Sequence, residues 1–82
     1  MNNLKTMNIL IDSIVKIKYF NELILKYKGT HIDLISGKYR VPATSLMGIF
    51  SLDVTKPIIL EYEEEYEDFV KSTFGQFEVD AM

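Results

Sequence analysis

The first half of the chain changes its pattern of apolar and polar residues at Asp12 and Ser13. Before that point, residues 7–11 form a short, almost continuous apolar run, which is typical of a strand followed by a helix cap. Between residues 14 and 27, apolar side chains recur at helical spacing and charged side chains fall on the opposite side. This segment therefore predicts an amphipathic helix, and Gly29 is placed to end it.

The second half predicts a hairpin, a short helix, a strand and a closing helix. Two β-prone segments, residues 31–35 and 38–41, flank a Ser-Gly corner that favours a hairpin. Residues 44–52 have the apolar spacing of a short helix, and residues 58–62 form a further apolar strand opened by Pro57. Apolar residues then recur at helical spacing from residue 69 to residue 77, which predicts the last helix.

The predicted order of elements is βαββαβα, within a single domain over residues 1–82. Helices that each bury one apolar stripe pack well on a sheet that is apolar on one side. A right-handed crossover through the first helix is compatible with that arrangement. We therefore expect an α+β fold, an open-faced β-sandwich in which a four-stranded antiparallel sheet has its helices packed on one face.

The residue composition restricts the chemistry that we expect of the chain. Its 82 residues include no cysteine, which excludes a disulfide framework, a thiolate nucleophile and a cysteine zinc site. The single histidine, His31, excludes sites that need two imidazoles. We accordingly expect no metal site and no cofactor.

The charge distribution bears on partners and location. The net charge of −3 argues against a general nucleic-acid binder. Acidic residues are densest between residues 61 and 68, where we expect a solvated turn at the N-terminus of the last helix, without the spacing of a calcium loop. The sequence shows neither an apolar run long enough for a membrane span nor a signal-peptide pattern, so we expect a cytoplasmic protein.

Two segments carry a family resemblance. Residues 36–38 read Ser-Gly-Lys, and residues 44–57 read Thr-Ser-Leu-Met-Gly-Ile-Phe-Ser-Leu-Asp-Val-Thr-Lys-Pro. They resemble the HPr phosphocarrier family of the bacterial sugar phosphotransferase system, whose Gram-positive members typically read Asn-Gly-Lys and then Lys-Ser-Ile-Met-Gly-Val-Met-Ser-Leu-Gly-Ile. With the flanking elements, the resemblance covers about residues 7–77.

The resemblance implies a phosphorylated histidine that opens the first helix in a His-x-Arg-Pro motif. Here the histidine position falls on Ile14 or Lys16, the arginine position falls on Lys16 or Lys18, and the proline is absent. Isoleucine has no nucleophile, and a lysine ammonium is a protonated point charge at neutral pH. His31 lies about one helix length downstream, where we expect a structural role. We therefore expect no catalytic residue.

The resemblance also implies a regulatory site at the short helix. Ser45 matches the serine that an ATP-dependent kinase phosphorylates in Gram-positive family members, whereas Thr44 replaces their usual lysine. Phosphorylation adds negative charge at a helix N-terminus and alters which partners dock. The alternative is that Ser45 acts only as a helix cap.

A docking surface follows from the same resemblance. Leu46, Met47 and Phe50 match the positions at which family members expose an apolar patch, although the spacing of Leu46 and Phe50 also suits a buried stripe. Lys16 and Lys18 would add positive charge for an acidic partner.

The predicted function is that of an HPr-like binding or regulatory module that is not an enzyme, comparable to the catabolite-repression HPr-like proteins. Its partner would be a phosphotransferase-system enzyme, an HPr-type serine kinase or a transcriptional regulator, and the chain would be a monomer or weak dimer. One alternative is a working phosphocarrier with a displaced residue, for which only Ser13 is available at the first helix. The other alternative is an unrelated small α+β interaction domain.

Overall fold

Four strands and three α-helices succeed one another in the computed structural model, which describes residues 3–27 and 29–80. These elements are β1 (Leu4–Ile9), α1 (Ile14–Ile24), β2 (Ile32–Ser36), β3 (Tyr39–Pro42), α2 (Leu46–Phe50), β4 (Ile58–Glu63) and α3 (Glu67–Phe74). Short 3₁₀ turns extend α1, precede α3 and follow it (Leu25–Tyr27, Glu64–Tyr66 and Gly75–Phe77). The predicted order of elements and the α+β class are confirmed.

The four strands form one antiparallel sheet in the spatial order β1-β4-β2-β3. Leu60 of β4 pairs with Met7 of β1 on one side and with Leu34 of β2 on the other. The β2–β3 hairpin turns at Gly37 and Lys38, one residue later than the predicted Ser-Gly corner, and Gly37 has a φ of +59°. Only glycine adopts that left-handed conformation without a steric cost.

Alternate strand residues point to opposite sides of the sheet, and one side carries the core. In β4, Ile58, Leu60 and Tyr62 are buried, whereas Ile59 between them is 37% exposed. The helices contribute their buried side chains to the same apolar cluster (Ile17, Phe20, Ile24, Ile49, Val70 and Phe74). The Phe20 and Phe74 rings lie 5.1 Å apart at their centroids, so α1 and α3 meet in this core.

The first strand departs from its predicted range. Residues 7–11 were expected to form it, but β1 is Leu4–Ile9, and its first residues are exposed. Its early half is fixed by pairing with β4, in which Leu4 lies opposite Glu63, and not by an apolar pattern. Tertiary pairing of this kind overrides local propensity in sheets.

Both edges of the sheet make backbone contacts outside the strands. At β1, the Leu10 N–H donates to the Phe77 carbonyl and the Val79 N–H donates to the Asn8 carbonyl, each at 2.9 Å. At β3, the Pro42 carbonyl accepts from the Ser45 N–H at 3.0 Å.

Among the described residues, none of the helices has the length and apolar character needed to cross a lipid bilayer.

Candidate functional site

Ser45 caps the N-terminus of α2 with its side chain. Its Oγ accepts a hydrogen bond from the Gly48 N–H at 3.1 Å, and its carbonyl accepts from the Ile49 N–H at 2.9 Å. A Cβ at position 48 would lie 3.0 Å from both the Ser45 Oγ and the Val41 Cβ. The glycine therefore keeps the approach to the serine hydroxyl free of a side chain.

Helix α2 buries one apolar side chain and exposes three. Ile49 is fully buried, whereas Leu46, Phe50 and Met47 are 36%, 48% and 81% exposed. We call these three exposed residues the α2 patch. Because a helix this short cannot bury side chains on every side, its apolar composition leaves these three side chains at the surface.

The start of α1 has exposed apolar residues that were not predicted to belong to a docking surface. Ser13 caps α1 and its Oγ accepts from the Lys16 N–H at 3.1 Å. The next two residues, Ile14 and Val15, are 63% and 77% exposed. The available signal was that both lie outside the buried stripe that begins at Ile17. Ile14, one of the two positions matched to the family histidine, offers no nucleophile.

The two candidate lysines occupy different sides of α1. Lys16 Nζ lies 3.1 Å from Asp12 Oδ1, and this hydrogen bond holds the pKa of the Asp12 carboxyl below its ordinary value. Lys18 is two residues further along, about 200° around the helix axis. Lys16 is therefore partly neutralised by Asp12, and the two lysines do not form one positive patch.

A second group of polar side chains lies on the sheet side away from the core. Asp33 of β2 is directly opposite Glu61 of β4 in the strand register. Arg40 of β3 reaches both carboxylates, with Nη1 at 2.6 Å from Glu61 Oε1 and at 3.0 Å from Asp33 Oδ2. His31 precedes β2, and its Nε2 lies 2.9 Å from Glu61 Oε1 and 3.8 Å from Asp33 Oδ2. We call these four residues the charged cluster.

Glu61 is the centre of the charged cluster. It is only 9% exposed and is the one buried charged residue in the described part of the chain. The hydrogen bonds from Arg40, and next from His31, hold the pKa of the Glu61 carboxyl below its ordinary value. The same carboxylate raises the pKa of the Arg40 guanidinium. A buried carboxylate requires partners of this kind to remain ionised.

The charged cluster corrects one expectation and adds detail to another. The acidic run from residue 61 to residue 68 was expected to be a solvated turn, but its first three residues belong to β4 and Glu61 is buried. The expectation is correct for Glu67 and Asp68, which open α3. His31 was expected to have a structural role, and its contacts with the Asp33 and Glu61 carboxylates are compatible with that role. A sequence-based prediction would have found the contact between Asp33 and Glu61 only if it had paired β2 with β4 in the observed register.

Three atoms of the charged cluster are possible metal ligands. One donor atom each from His31, Asp33 and Glu61 lies within 4.8 Å of the other two. In the part of the chain that the structure describes, no buried side-chain nitrogen or oxygen lacks a hydrogen-bond partner. The cluster is thus complete as an ion-paired network and also contains a set of nitrogen and oxygen donors.

Comparisons of the chain with protein-family models, with curated proteins and with solved structures give no match.

Proposed function

We propose that the protein is an HPr-like binding or regulatory module that has no histidine phosphotransfer and docks a protein partner through α2 and the start of α1. The order of elements supports this proposal, since it is the order that the resemblance requires. The common apolar cluster of the helices and one side of the sheet fits an open-faced β-sandwich. We place the protein in the cytoplasm as a monomer or weak dimer.

The observation that carries the proposal is the α2 patch beside the Ser45 cap. Met47, 81% exposed, is a flexible and polarisable side chain that adapts to different partner surfaces. Ile14 and Val15 add exposed apolar area at the start of α1, where the proposed docking surface also includes Lys16 and Lys18. Contiguous exposed apolar side chains are characteristic of protein-binding surfaces.

Residues at the start of α1 support the absence of phosphotransfer. A phosphocarrier needs a nucleophile whose bond to phosphorus later breaks again, as an imidazole provides. Ile14 has none, and the Lys16 ammonium is bound to Asp12. Ser13 is the available hydroxyl, and its Oγ accepts a hydrogen bond as a helix cap. The one imidazole, that of His31, is engaged in the charged cluster.

Ser45 supports a gating role for phosphorylation. Transfer of the γ-phosphoryl group of ATP to the Ser45 Oγ would release ADP and the hydroxyl proton, and would add a charge of about −1.5 to −2 next to the α2 patch. The Gly48 N–H already points at this oxygen and would donate to the phosphate. The partner would be an HPr-type serine kinase, a phosphotransferase-system enzyme or a transcriptional regulator that distinguishes the two states.

Intact mass measurement tests both halves of the proposal. The protein is incubated with phosphoenolpyruvate and the general phosphotransferase enzyme, and separately with ATP and the HPr serine kinase. We expect no change in the first reaction and a gain of about 80 Da, one phosphoryl group, in the second. A gain in the first reaction would identify a working phosphocarrier and overturn the proposal.

Two serine variants locate the modification. Ser45→Ala should abolish the gain in mass, whereas Ser51→Ala, at the other end of α2, should retain it. If neither reaction modifies the protein and the kinase does not bind it, the alternative of an unrelated α+β interaction domain is favoured.

A further inference from the structure

The charged cluster contains three potential metal ligands, His31, Asp33 and Glu61. The Arg40 guanidinium is bound to the carboxylate oxygens of two of them. His31 directly precedes β2, Asp33 lies in β2 and Glu61 lies in β4. The register of β2 and β4 therefore fixes their spacing. None of them belongs to the α2 patch or to α1. The cluster therefore shares no residue with the proposed docking surface.

The ligand distances are close to those that a small cation requires. Zinc binds histidine nitrogen and carboxylate oxygen at about 2.0–2.2 Å, which places the ligand atoms of a tetrahedral site about 3.4 Å apart. The distances from His31 Nε2 to Glu61 Oε1 and to Asp33 Oδ2 are 2.9 Å and 3.8 Å. All three donor atoms, including the Asp33 and Glu61 oxygens, lie within 4.8 Å of one another, so binding would require side-chain rotations that draw them together.

The Arg40 guanidinium would compete with a metal ion for the two carboxylates, and it can be displaced from them. Its Nη1 bridges one oxygen of Asp33 and one of Glu61, and these same two oxygens are within reach of His31 Nε2. The Arg40 side chain is 51% exposed, so its guanidinium can move into water without burial of its charge. A divalent ion brings twice the charge of the guanidinium to the same pair of carboxylates.

We propose that His31 Nε2, one carboxylate oxygen of Asp33 and one of Glu61 form a binding site for a divalent transition metal of the Zn²⁺ class, in competition with Arg40. One imidazole and two carboxylates suit borderline ions such as Zn²⁺, Co²⁺ and Ni²⁺. They are too few oxygens for Ca²⁺, which takes six to eight. The site departs from the expectation of no metal that the lack of cysteine and of a second histidine suggested.

The partial exposure of the site leaves room for further ligands from solvent. The side chains of His31, Asp33 and Glu61 are 39%, 19% and 11% exposed. Three protein ligands and an open position are the arrangement found where zinc also binds water or a small molecule. Glu61 is the most enclosed ligand, and the other two lie nearer to the solvent.

Titration of the metal-free protein with Zn²⁺ tests the proposal by calorimetry and by NMR of the imidazole. Because His31 is the only histidine, its ring signals report the site without assignment ambiguity. We expect one equivalent to bind with a shift of the His31 signals, and Ca²⁺ and Mg²⁺ to bind at least about tenfold more weakly. Equal affinity for Ca²⁺, or no His31 shift up to about millimolar Zn²⁺, would overturn the proposal.

Two variants that should change the Zn²⁺ affinity in opposite directions make the test specific. His31→Gln removes a ligand and should weaken Zn²⁺ binding at least about tenfold, since loss of outer-shell contacts alone costs about 10–100-fold. Arg40→Gln removes the competitor and should strengthen binding about tenfold, because the free carboxylates become the main population. As a control, Asp53→Asn removes one acid from the loop after α2 and should leave the Zn²⁺ affinity unchanged.

Circular dichroism and urea unfolding of the variants without metal show that each remains folded. Glu61→Gln gives a second ligand variant, with the same loss expected as for His31→Gln. Zinc affinity that is the same in the wild type, His31→Gln and Arg40→Gln would show diffuse binding to surface acids and contradict the proposal.

Discussion

The two sides of the sheet are stabilised by different interactions, although their residues are neighbours in sequence. On the core side of β4, Leu60 is fully buried against apolar side chains of the helices. On the other side, Ile59 remains 37% exposed, and Glu61 is buried with its carboxylate hydrogen-bonded to His31 and Arg40. One side is stabilised by excluded apolar area, which does not depend on pH. The other side depends on ionisation, which makes it the adjustable side of the molecule.

The largest expected difference between the two sides comes from truncating adjacent residues of β4. Leu60→Ala should reduce the free energy of unfolding by about 2–5 kcal/mol, because it leaves a cavity at the centre of the core. Ile59→Ala should cost less than about 1 kcal/mol, as is usual at exposed positions. Urea denaturation of both variants measures the difference. Equal losses would show that both sides of the sheet are covered.

A smaller loss is expected when Arg40 is replaced. Arg40→Gln leaves the Glu61 carboxylate with His31 as its remaining polar partner in the cluster, so the free energy of unfolding should fall by less than in Leu60→Ala. The pKa of the Glu61 carboxyl, followed by NMR, should rise at the same time, since the Arg40 hydrogen bond is the main cause of its depression. Arg40→Lys keeps the charge without the planar fork and should give an intermediate pKa. An unchanged pKa in Arg40→Gln would contradict the geometry of the cluster.

The smallest effect is a difference in pH dependence. The pKa of Glu61 is lower in the folded protein than its ordinary value of 4.5. Its contribution to stability is therefore fully present above that value and is lost as the pH falls through the folded pKa. Glu61→Gln should lose less stability than the wild type on acidification, when unfolding is measured with a chelator present. It should still lose some, because the pKa values of Asp12 and Asp53 are also lowered. Parallel pH profiles would contradict this role of Glu61.

Local patterns predict most of the elements because each helix and strand has its own periodicity. The amphipathic spacing of Ile17, Phe20 and Ile24 is visible in the sequence, and all three are buried. By contrast, the early half of β1 lacks such a signal, and its strand conformation depends on pairing with the end of the chain's fourth strand. Pairing over that sequence distance is not encoded in local propensity.

The charged cluster was missed for the same reason. His31 and Glu61 are 30 positions apart in sequence, and only the β2–β4 register brings their side chains together. The α2 patch was easier to predict, because Leu46, Met47 and Phe50 lie within one short helix. Their exposure still required the structure, since the spacing of Leu46 and Phe50 is equally compatible with a buried stripe.

Pro42 has a consequence for association between copies of the chain. Strands at the edge of a sheet tend to recruit further strands and so promote aggregation. In β3, the Ala43 N–H that follows Pro42 is directed inward to the Ile32 carbonyl at 3.0 Å, so Pro42 occupies an outward position where another residue would present an N–H. Its own carbonyl is already bonded to Ser45. An incoming strand would meet neither a donor nor a free acceptor at Pro42, and the residue that caps α2 thereby hinders growth of the sheet at this end of β3.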